Sequence, residues 1–353
     1  MPEVNVKCPK CGTMTTVSGK PGEVVRITCT SCQTQGKVTF PGQLPVDGIA
    51  IEVNDLRKEY GDLVAVNNIS FMVNKGEVFA FLGPNGAGKT TTVEMIESIR
   101  KPTHGEIKIL GIDIKDNFND IKEMIGILPQ EFHSFDKLTV RETLDYFSKF
   151  YDRRTNIDEI IRVMNLREQE NKLYRDLSGG LKQRVGVAIS LVNDPDIVFL
   201  DEPSTGLDPK ARREVWEVIA SLRDRGKTVF LTTHYMEEAE YLADHIAIIH
   251  KGNIIAEGSL EELISKFGSG TILNIKNCKN IDALKIIRNN GFDANTKEKG
   301  NISIKIDYKD RVLEVLSILK HECIEYNGID IRKSNLEEVF LYLTGSKLSG
   351  DIE

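Results

Sequence analysis

Residues 83–90 read Gly-Pro-Asn-Gly-Ala-Gly-Lys-Thr, preceded by the apolar run Val78–Leu82 and followed by a helical pattern over Thr91–Ile99. No other feature constrains the chain as much. A strand that ends in a glycine-rich turn and then a helix aims several backbone N–H groups at one point, and the helix N-terminus adds positive potential there. Glycines let the backbone approach phosphate oxygens closely. Gly83, Pro84, Asn85, Gly86, Ala87, Gly88, Lys89, Thr90 and Thr91 are therefore candidate phosphate-binding residues. Lys89 is placed to reach terminal phosphates, and the Thr90 hydroxyl is offered to Mg²⁺.

A second motif supplies acid. Ile197–Leu200 is apolar and Asp201-Glu202 follow at once. Both carboxylates then stand at the carboxyl edge of a strand, where open α/β sheets bind ligands. Asp201 suits Mg²⁺, a hard cation that takes oxygen ligands. Glu202 suits polarisation of an attacking water. Together the two motifs imply hydrolysis of a nucleoside triphosphate. Between them, Ser178 precedes Gly179 and Gly180 at the start of an amphipathic pattern. Ser178 is a good N-cap and the glycines expose backbone N–H groups, which makes a second anion-binding helix end.

In this order and spacing the motifs resemble the ABC ATPase family over about residues 49–267. Residues 177–180 match the start of its Leu-Ser-Gly-Gly-Gln signature; Leu181 departs from it, and a glutamine follows at Gln183. The resemblance implies that Tyr60 stacks on adenine and that Gln130 meets Mg²⁺ and water. It makes Ser204–Asp208, with Asp208, the D-loop, and His234 the switch histidine that contacts the γ-phosphate. Lys89, Glu202 and His234 are then the catalytic set, with ATP and Mg²⁺ as cofactors. Ser178, Gly179 and Gly180 of one copy close over the nucleotide held by another copy, in a homodimer or a paralogous heterodimer.

Phe132–Leu144 resembles the family's loop that grips a membrane subunit. Ser334–Gly345 resembles the C-terminal extension of drug- and polysaccharide-export ATPases. The implied partner is a separately encoded membrane-spanning transporter subunit, in an exporter, with this chain cytoplasmic on the inner face of the membrane. The alternative is a soluble ABC ATPase acting on nucleic acid or the translation machinery. A third reading, a regulator without turnover, is opposed by intact Glu202 and His234.

Cys8 and Cys11, then Cys29 and Cys32, form two C-x₂-C pairs with seventeen residues between them. In a chain with no apolar leader at its start, paired cysteines favour a metal over disulfides. Four thiolates complete a tetrahedron with no open position, so the expected site is structural zinc, or iron in its place. The unit resembles a zinc ribbon. It carries five cations, Lys7, Lys10, Lys20, Arg26 and Lys37, against Glu3 and Glu23, but only Phe40 for base stacking. The whole chain has a net charge of −7. Both facts argue against nucleic acid as the partner.

The expected fold class is α/β, a P-loop NTPase of ABC type with an inserted helical subdomain, an N-terminal four-cysteine zinc ribbon and a small C-terminal α+β domain. The expected boundaries are 1–46, 47–267 with the helical subdomain at about 135–192, and 268–353. Strand patterns at Ile51–Val53, Val78–Leu82, Ile107–Leu110, Ile125–Leu128, Ile197–Leu200, Thr228–Thr232 and Ile246–Ile249 predict one buried, mostly parallel sheet. No run of eighteen apolar residues exists to span a bilayer. Ser334 with Glu337 reads as a capping box for the last helix.

Overall fold

The computed structural model describes residues 3–7, 11, 14–18, 24–29, 31–32, 35–39, 48–115, 121–268, 271–278, 282–297, 300–306 and 311–345. Near the N-terminus, β1 (Glu3–Lys7) pairs antiparallel with β2 (Met14–Ser18), and β3 (Val24–Thr28) with β4 (Gln35–Thr39). Patterning marks only the last three of these strands.

Two sheets form the centre of the molecule. In the larger, β7 (Val78–Leu82), β10 (Ile125–Leu128), β11 (Ile197–Asp201), β12 (Thr228–Thr233) and β13 (His245–His250) run parallel in the order β10-β11-β12-β7-β13. Strand β14 (Asn253–Gly258) adds antiparallel to β13. Every residue of β7, β11 and β12 is buried, as strands covered on both faces require.

The second sheet corrects the sequence expectation. Strands β5 (Ile49–Tyr60), β6 (Leu63–Asn74), β8 (His104–Ile109) and β9 (Ile112–Asp113) form a separate antiparallel sheet in the order β6-β5-β8-β9. It absorbs Ile51–Val53 and most of Ile107–Leu110. Turn length decides the matter. Gly61-Asp62 and Leu110-Gly111 are two-residue connections, which join antiparallel neighbours. Leu110 (φ 51°) and Gly111 (φ 81°) adopt the left-handed pair that such a hairpin needs.

Side chains of β7 alternate between two cores, as the two-residue strand period dictates. Phe79 and Phe81 point into the layer shared with the antiparallel sheet, beside Phe71, Phe199 and Phe230. There the ring centroids of Phe79 lie 5.4 Å from Phe71 and 5.3 Å from Phe230. Helix α1 (Lys89–Ile96) adds Val93, Met95 and Ile96 to this layer. It is shorter than patterning predicts because Ser98 is left-handed (φ 61°).

Val78, Ala80 and Leu82 face the other core. Helices pack there: α2 (Val140–Ser148), α3 (Ile157–Val163), α4 (Gly179–Ile189), α5 (Pro209–Asp224), α6 (Met236–Leu242) and α7 (Leu260–Phe267). Thr139 and Glu142 form a reciprocal capping box that starts α2. The helical span between β10 and β11 is therefore held by the same apolar cluster as the sheet.

The last segment reads β15 (Thr271–Lys276), α8 (Ala283–Asn289), β16 (Ala294–Lys297), β17 (Asn301–Ile306), α9 (Arg311–His321) and β18 (Gly328–Lys333). Its antiparallel sheet has the order β16-β17-β15-β18 over a core that includes Leu273, Ile287, Ile304 and Leu319. Helix α10 (Leu336–Thr344) leaves that core and buries Leu336, Val339 and Phe340 in the main helical cluster instead. Its N-cap is Asn335, which accepts the Glu338 N–H at 3.2 Å, one residue later than the expected cap at Ser334.

Candidate functional site

The parallel strand order brings four chain segments to one carboxyl edge. The glycine-rich loop leaves β7, Gln130 follows β10, Asp201-Glu202 ends β11, and His234 follows β12. An open cleft of about 450 Å³ is lined by Tyr60, Asn85, Gly86, Gly88, Lys89, Thr90, Thr91, Gln130 and Glu202, among others; Asp201 and His234 stand behind Glu202 and are not among its lining residues. Gly83, Pro84 and Ala87 build the loop from behind. The Gly83 N–H bonds the Thr233 carbonyl at 3.1 Å, and the Ala87 N–H bonds the Pro84 carbonyl at 3.2 Å. Gly88 has a φ of 106°, and a Cβ there would meet the Ala65 carbonyl oxygen at 2.6 Å, so only glycine fits.

Lys89 is 4% exposed. Its Nζ donates to the Gly83 carbonyl at 2.9 Å and lies 3.1 Å from Glu202 Oε1. The other oxygen, Glu202 Oε2, lies 3.1 Å from His234 Nδ1, accepts from Thr205 Oγ1 at 3.1 Å and from Gln130 Nε2 at 3.4 Å. Burial alone would raise the Glu202 carboxyl; His234 and Lys89 outweigh it and hold the group down at about 2. Glu202 therefore stays an anion in a nearly dry site. Its backbone is left-handed (φ 49°), an unusual conformation for a non-glycine residue.

Asp201 behaves in the opposite way. Burial pushes its carboxyl up, and the neighbouring Glu202 adds to this, against hydrogen bonds from Thr232 and Thr90. The Thr232 hydroxyl donates to Asp201 Oδ1 from the directly paired position on β12. Asp201 and Thr90 thus offer two adjacent hard oxygens, with the Gln130 amide oxygen across the cleft, a donor set that fits Mg²⁺.

Tyr60, 40% exposed, ends β5 at the cleft mouth. Lys58 Nζ and the Arg100 guanidinium sit 5.3 and 5.4 Å from its ring centre. Leu63 and Ala65 also line the cleft. Sequence reasoning misses both, together with Thr232 and the buried Glu97; it places Thr205 only within the D-loop motif. Only the exposed Leu63 in an otherwise alternating strand carries a signal.

Ser178, Gly179 and Gly180 stand apart. They are not among the described residues lining the cleft. Ser178 caps α4, accepting the Leu181 N–H at 3.4 Å, and both Ser178 and Gly179 are exposed. Gly180 abuts the start of α5, where an added Cβ would lie 2.7 Å from Ala211 Cβ. Asp208 is likewise outside the cleft; it caps α5, accepting from Lys210 and Ala211 N–H groups at 3.0 Å. In the N-terminal segment, the sulfurs of Cys11, Cys29 and Cys32 lie within 4.8 Å of one another. The fourth expected ligand, Cys8, falls outside the described residues.

The family described as ABC transporter matches residues 66–205. The daunorubicin resistance ATP-binding protein of Streptomyces coeruleorubidus is 35% identical, over 84% of this chain and 96% of that protein. The Nod factor export ATP-binding protein of Cupriavidus pinatubonensis is 34% identical, over 87% and 95% respectively. Among solved structures, an ATP-binding subunit of an ABC transporter superposes with a TM-score of 0.56 at 28% identity, over 62% of this chain and 93% of that one. A bacterial ABC transporter cassette solved as a dimer gives 0.54 at 28% identity, over 59% and 98%.

Glu97, at the end of α1, is 5% exposed and faces Asp201 and Glu94. Burial, then these two carboxylates, raise its carboxyl from 4.5 to about 8. A raised acid contributes full stability below its ordinary value and loses it as pH climbs toward the folded value. Glu97→Gln removes the titration. Chemical unfolding without nucleotide or Mg²⁺ is expected to show the variant gaining on the wild type by about 3 kcal/mol between pH 5 and pH 8. A pH-independent difference would mean that Glu97 ionises normally.

Proposed function

The chain belongs to the ABC transporter family of ATP-binding proteins, and from that premise we propose that it is the nucleotide-binding subunit of an exporter, powering separately encoded membrane-spanning subunits through ATP-driven pairing of two cassettes. It is an ATPase, homologous to ATP-hydrolysing cassettes. The observation that carries the proposal is the split site. The cleft is lined by the lysine-bearing loop and Glu202, with His234 bonded to Glu202 from outside the lining, while the Ser178–Gly180 helix end does not line it and Ser178 and Gly179 are open to solvent. A second copy supplies that helix end, and its N–H groups then complete the anion site from the far side.

The chemistry follows from the residues. The phosphates of ATP compete with Glu202 for the Lys89 ammonium, which frees Glu202 Oε1 to orient water. His234 keeps the other oxygen in place. Mg²⁺, when bound, neutralises charge on the phosphate oxygens; Asp201, Thr90 and Gln130 would hold it. Tyr60 presents its ring to adenine. The relatives are named for drug resistance and Nod factor export, which supports export as the direction and the inner face of the membrane as the location.

The helical region offers a docking face for the membrane subunit. Phe135, Tyr146 and Phe150 are 50%, 40% and 63% exposed. Their rings meet edge-on at 5.1 and 5.3 Å, a contiguous apolar patch of the kind that marks an interface. In the N-terminal segment, Cys11, Cys29 and Cys32, with Cys8, form a structural zinc site. Thiolates at about 2.3 Å from a tetrahedral ion stand about 3.8 Å apart, which is compatible with the observed sulfur cluster.

Three measurements test these proposals. Glu202→Gln is expected to bind ATP, lose at least about 100-fold in turnover, and sediment as a dimer with ATP but not with ADP; a variant that stays monomeric with ATP at every concentration contradicts the split-site reading. Affinity capture from native membranes is expected to bring down an integral membrane subunit, and Phe150→Asp is expected to lose it while ATP hydrolysis persists. RNA or ribosomal protein in its place would favour the soluble alternative. Metal analysis is expected to find one zinc per chain, absent after Cys29→Ser; full occupancy in that variant would remove these thiols from the site.

A further inference from the structure

Glu202 keeps a left-handed backbone, with a φ of 49°. A non-glycine residue holds that conformation only where its surroundings over-determine it. One residue that does not line the cleft supplies the restraint. The Glu202 N–H meets the Thr232 carbonyl at 3.2 Å and the Thr232 hydroxyl oxygen at 3.0 Å. The same hydroxyl donates its hydrogen to Asp201 Oδ1. A threonine hydroxyl has one hydrogen to give and lone pairs to accept with. The Glu202 backbone, the Thr232 side chain and the Asp201 carboxylate therefore form one continuous chain of hydrogen bonds.

Register makes this chain of bonds possible. Thr232 on β12 is paired directly with Asp201 on β11 and, on its other side, with Phe81 on β7. Directly paired residues of parallel strands present their side chains to the same face. Here that face is the aromatic layer of Phe81, Phe199 and Phe230. Thr232 is fully buried. Valine has the same branched shape, and β12 fills its preceding positions with Val229, Phe230 and Leu231. Packing against Phe81 therefore does not call for a hydroxyl. A buried hydroxyl costs free energy unless it is bonded, and this one is bonded both as donor and as acceptor.

We infer that Thr232 is a positioning residue for ATP hydrolysis: its single hydroxyl ties the Glu202 backbone to the Asp201 carboxylate, so that the metal-binding acid and the water-orienting acid are set as one unit. The inference rests on the roles proposed for Asp201 and Glu202. Thr232 touches no reacting group. On one side it holds the turn from which the Glu202 carboxylate reaches Lys89 and His234. On the other it keeps the Asp201 carboxylate from rotating, which fixes the direction of the oxygen that Thr232 does not hold. Partners behind a metal ligand act in this way when they orient it. Thr232→Val removes the hydroxyl and keeps the shape. The bond from the Glu202 N–H to the carbonyl of residue 232 survives it, so the strand edge is not undone.

The test uses the full-length chain and its Thr232→Val, Thr232→Ser and Thr228→Val variants. Steady-state MgATP hydrolysis is measured, and so is Mn²⁺ affinity, by electron paramagnetic resonance with a non-hydrolysable ATP analogue bound. Thr228 is the control, a buried threonine at the opposite end of β12 whose hydroxyl accepts the Gly76 N–H at 2.9 Å. Thr232→Val is expected to lower kcat and Mn²⁺ affinity by about tenfold each. Thr232→Ser, which restores the hydroxyl, is expected to recover most of both. Thr228→Val is expected to keep both, whatever it does to the melting temperature. Wild-type values in Thr232→Val overturn the inference. So does a loss in one readout without the other, a Thr232→Ser variant as impaired as Thr232→Val, or an equal loss in Thr228→Val. Glu202→Gln in the same assay keeps the two proposals separate. If it turns over normally, the hydrolysis reading fails on its own account; if it is slow while Thr232→Val is normal, only the role of Thr232 fails.

Discussion

Two adjacent carboxylates, Asp201 and Glu202, are 5% and 7% exposed at the end of an entirely apolar strand. Neighbouring acids in a dry site cannot both ionise without help. The fold resolves this by giving them unlike surroundings. Glu202 receives the Lys89 ammonium and a hydrogen bond with His234 and is held far down; burial pushes Asp201 up, against the hydroxyls of Thr232 and Thr90. That asymmetry depends on strand order. Lys89 follows β7 and His234 follows β12, and the sheet sets β12 between β11 and β7. A different order would leave Glu202 buried and uncompensated, so the compensation of one carboxylate ties three strands into a fixed sequence.

The parts that could be read from the sequence are the local ones. The glycine-rich loop needs its residues in a row, and Ser178 and Asp208 cap the helices that immediately follow them. The apolar runs of β7 and β11 are buried on both faces, so they show as unbroken hydrophobic stretches. What could not be read depends on partners distant in the chain. Ile51–Val53 and Ile107–Leu110 look like the buried parallel strands, and only the short turns after each of them assign them to another sheet. Thr232 matters because register sets it opposite Asp201, thirty-one residues away. Glu97 and Glu238 look like the solvated acids of ordinary helices until tertiary packing buries them. The cap of α10 falls one residue later than the pattern suggests, at Asn335, whose side chain accepts the Glu338 N–H.

Gly180 shows how one residue can answer to two demands. Close contact with Ala211 already requires glycine, because a methyl group there would sit 2.7 Å from another. The contact seats the start of α4 against the start of α5, which Asp208 caps. Arg184 and Glu214 span the same two helices at 3.5 Å. The exposed Ser178 end of α4 and the loop that follows Glu202 are therefore held together in one chain. Any surface that meets one of them meets the other.

Helix α6 draws these threads together. It is only seven residues long and begins immediately after His234-Tyr235. Glu238 turns inward to Trp216, while Glu240, two residues on, accepts the backbone N–H of Leu336 at 2.6 Å. Leu336 begins α10, whose apolar face is buried in the main helical cluster rather than in the C-terminal sheet it follows. Roughly opposite sides of one short helix thus carry the contact to Trp216 and the C-terminal attachment. A helix this short has little stability of its own; its order comes from tertiary packing and these two buried contacts. Displacement of α10 would remove one of those contacts and loosen the frame on which His234 is set.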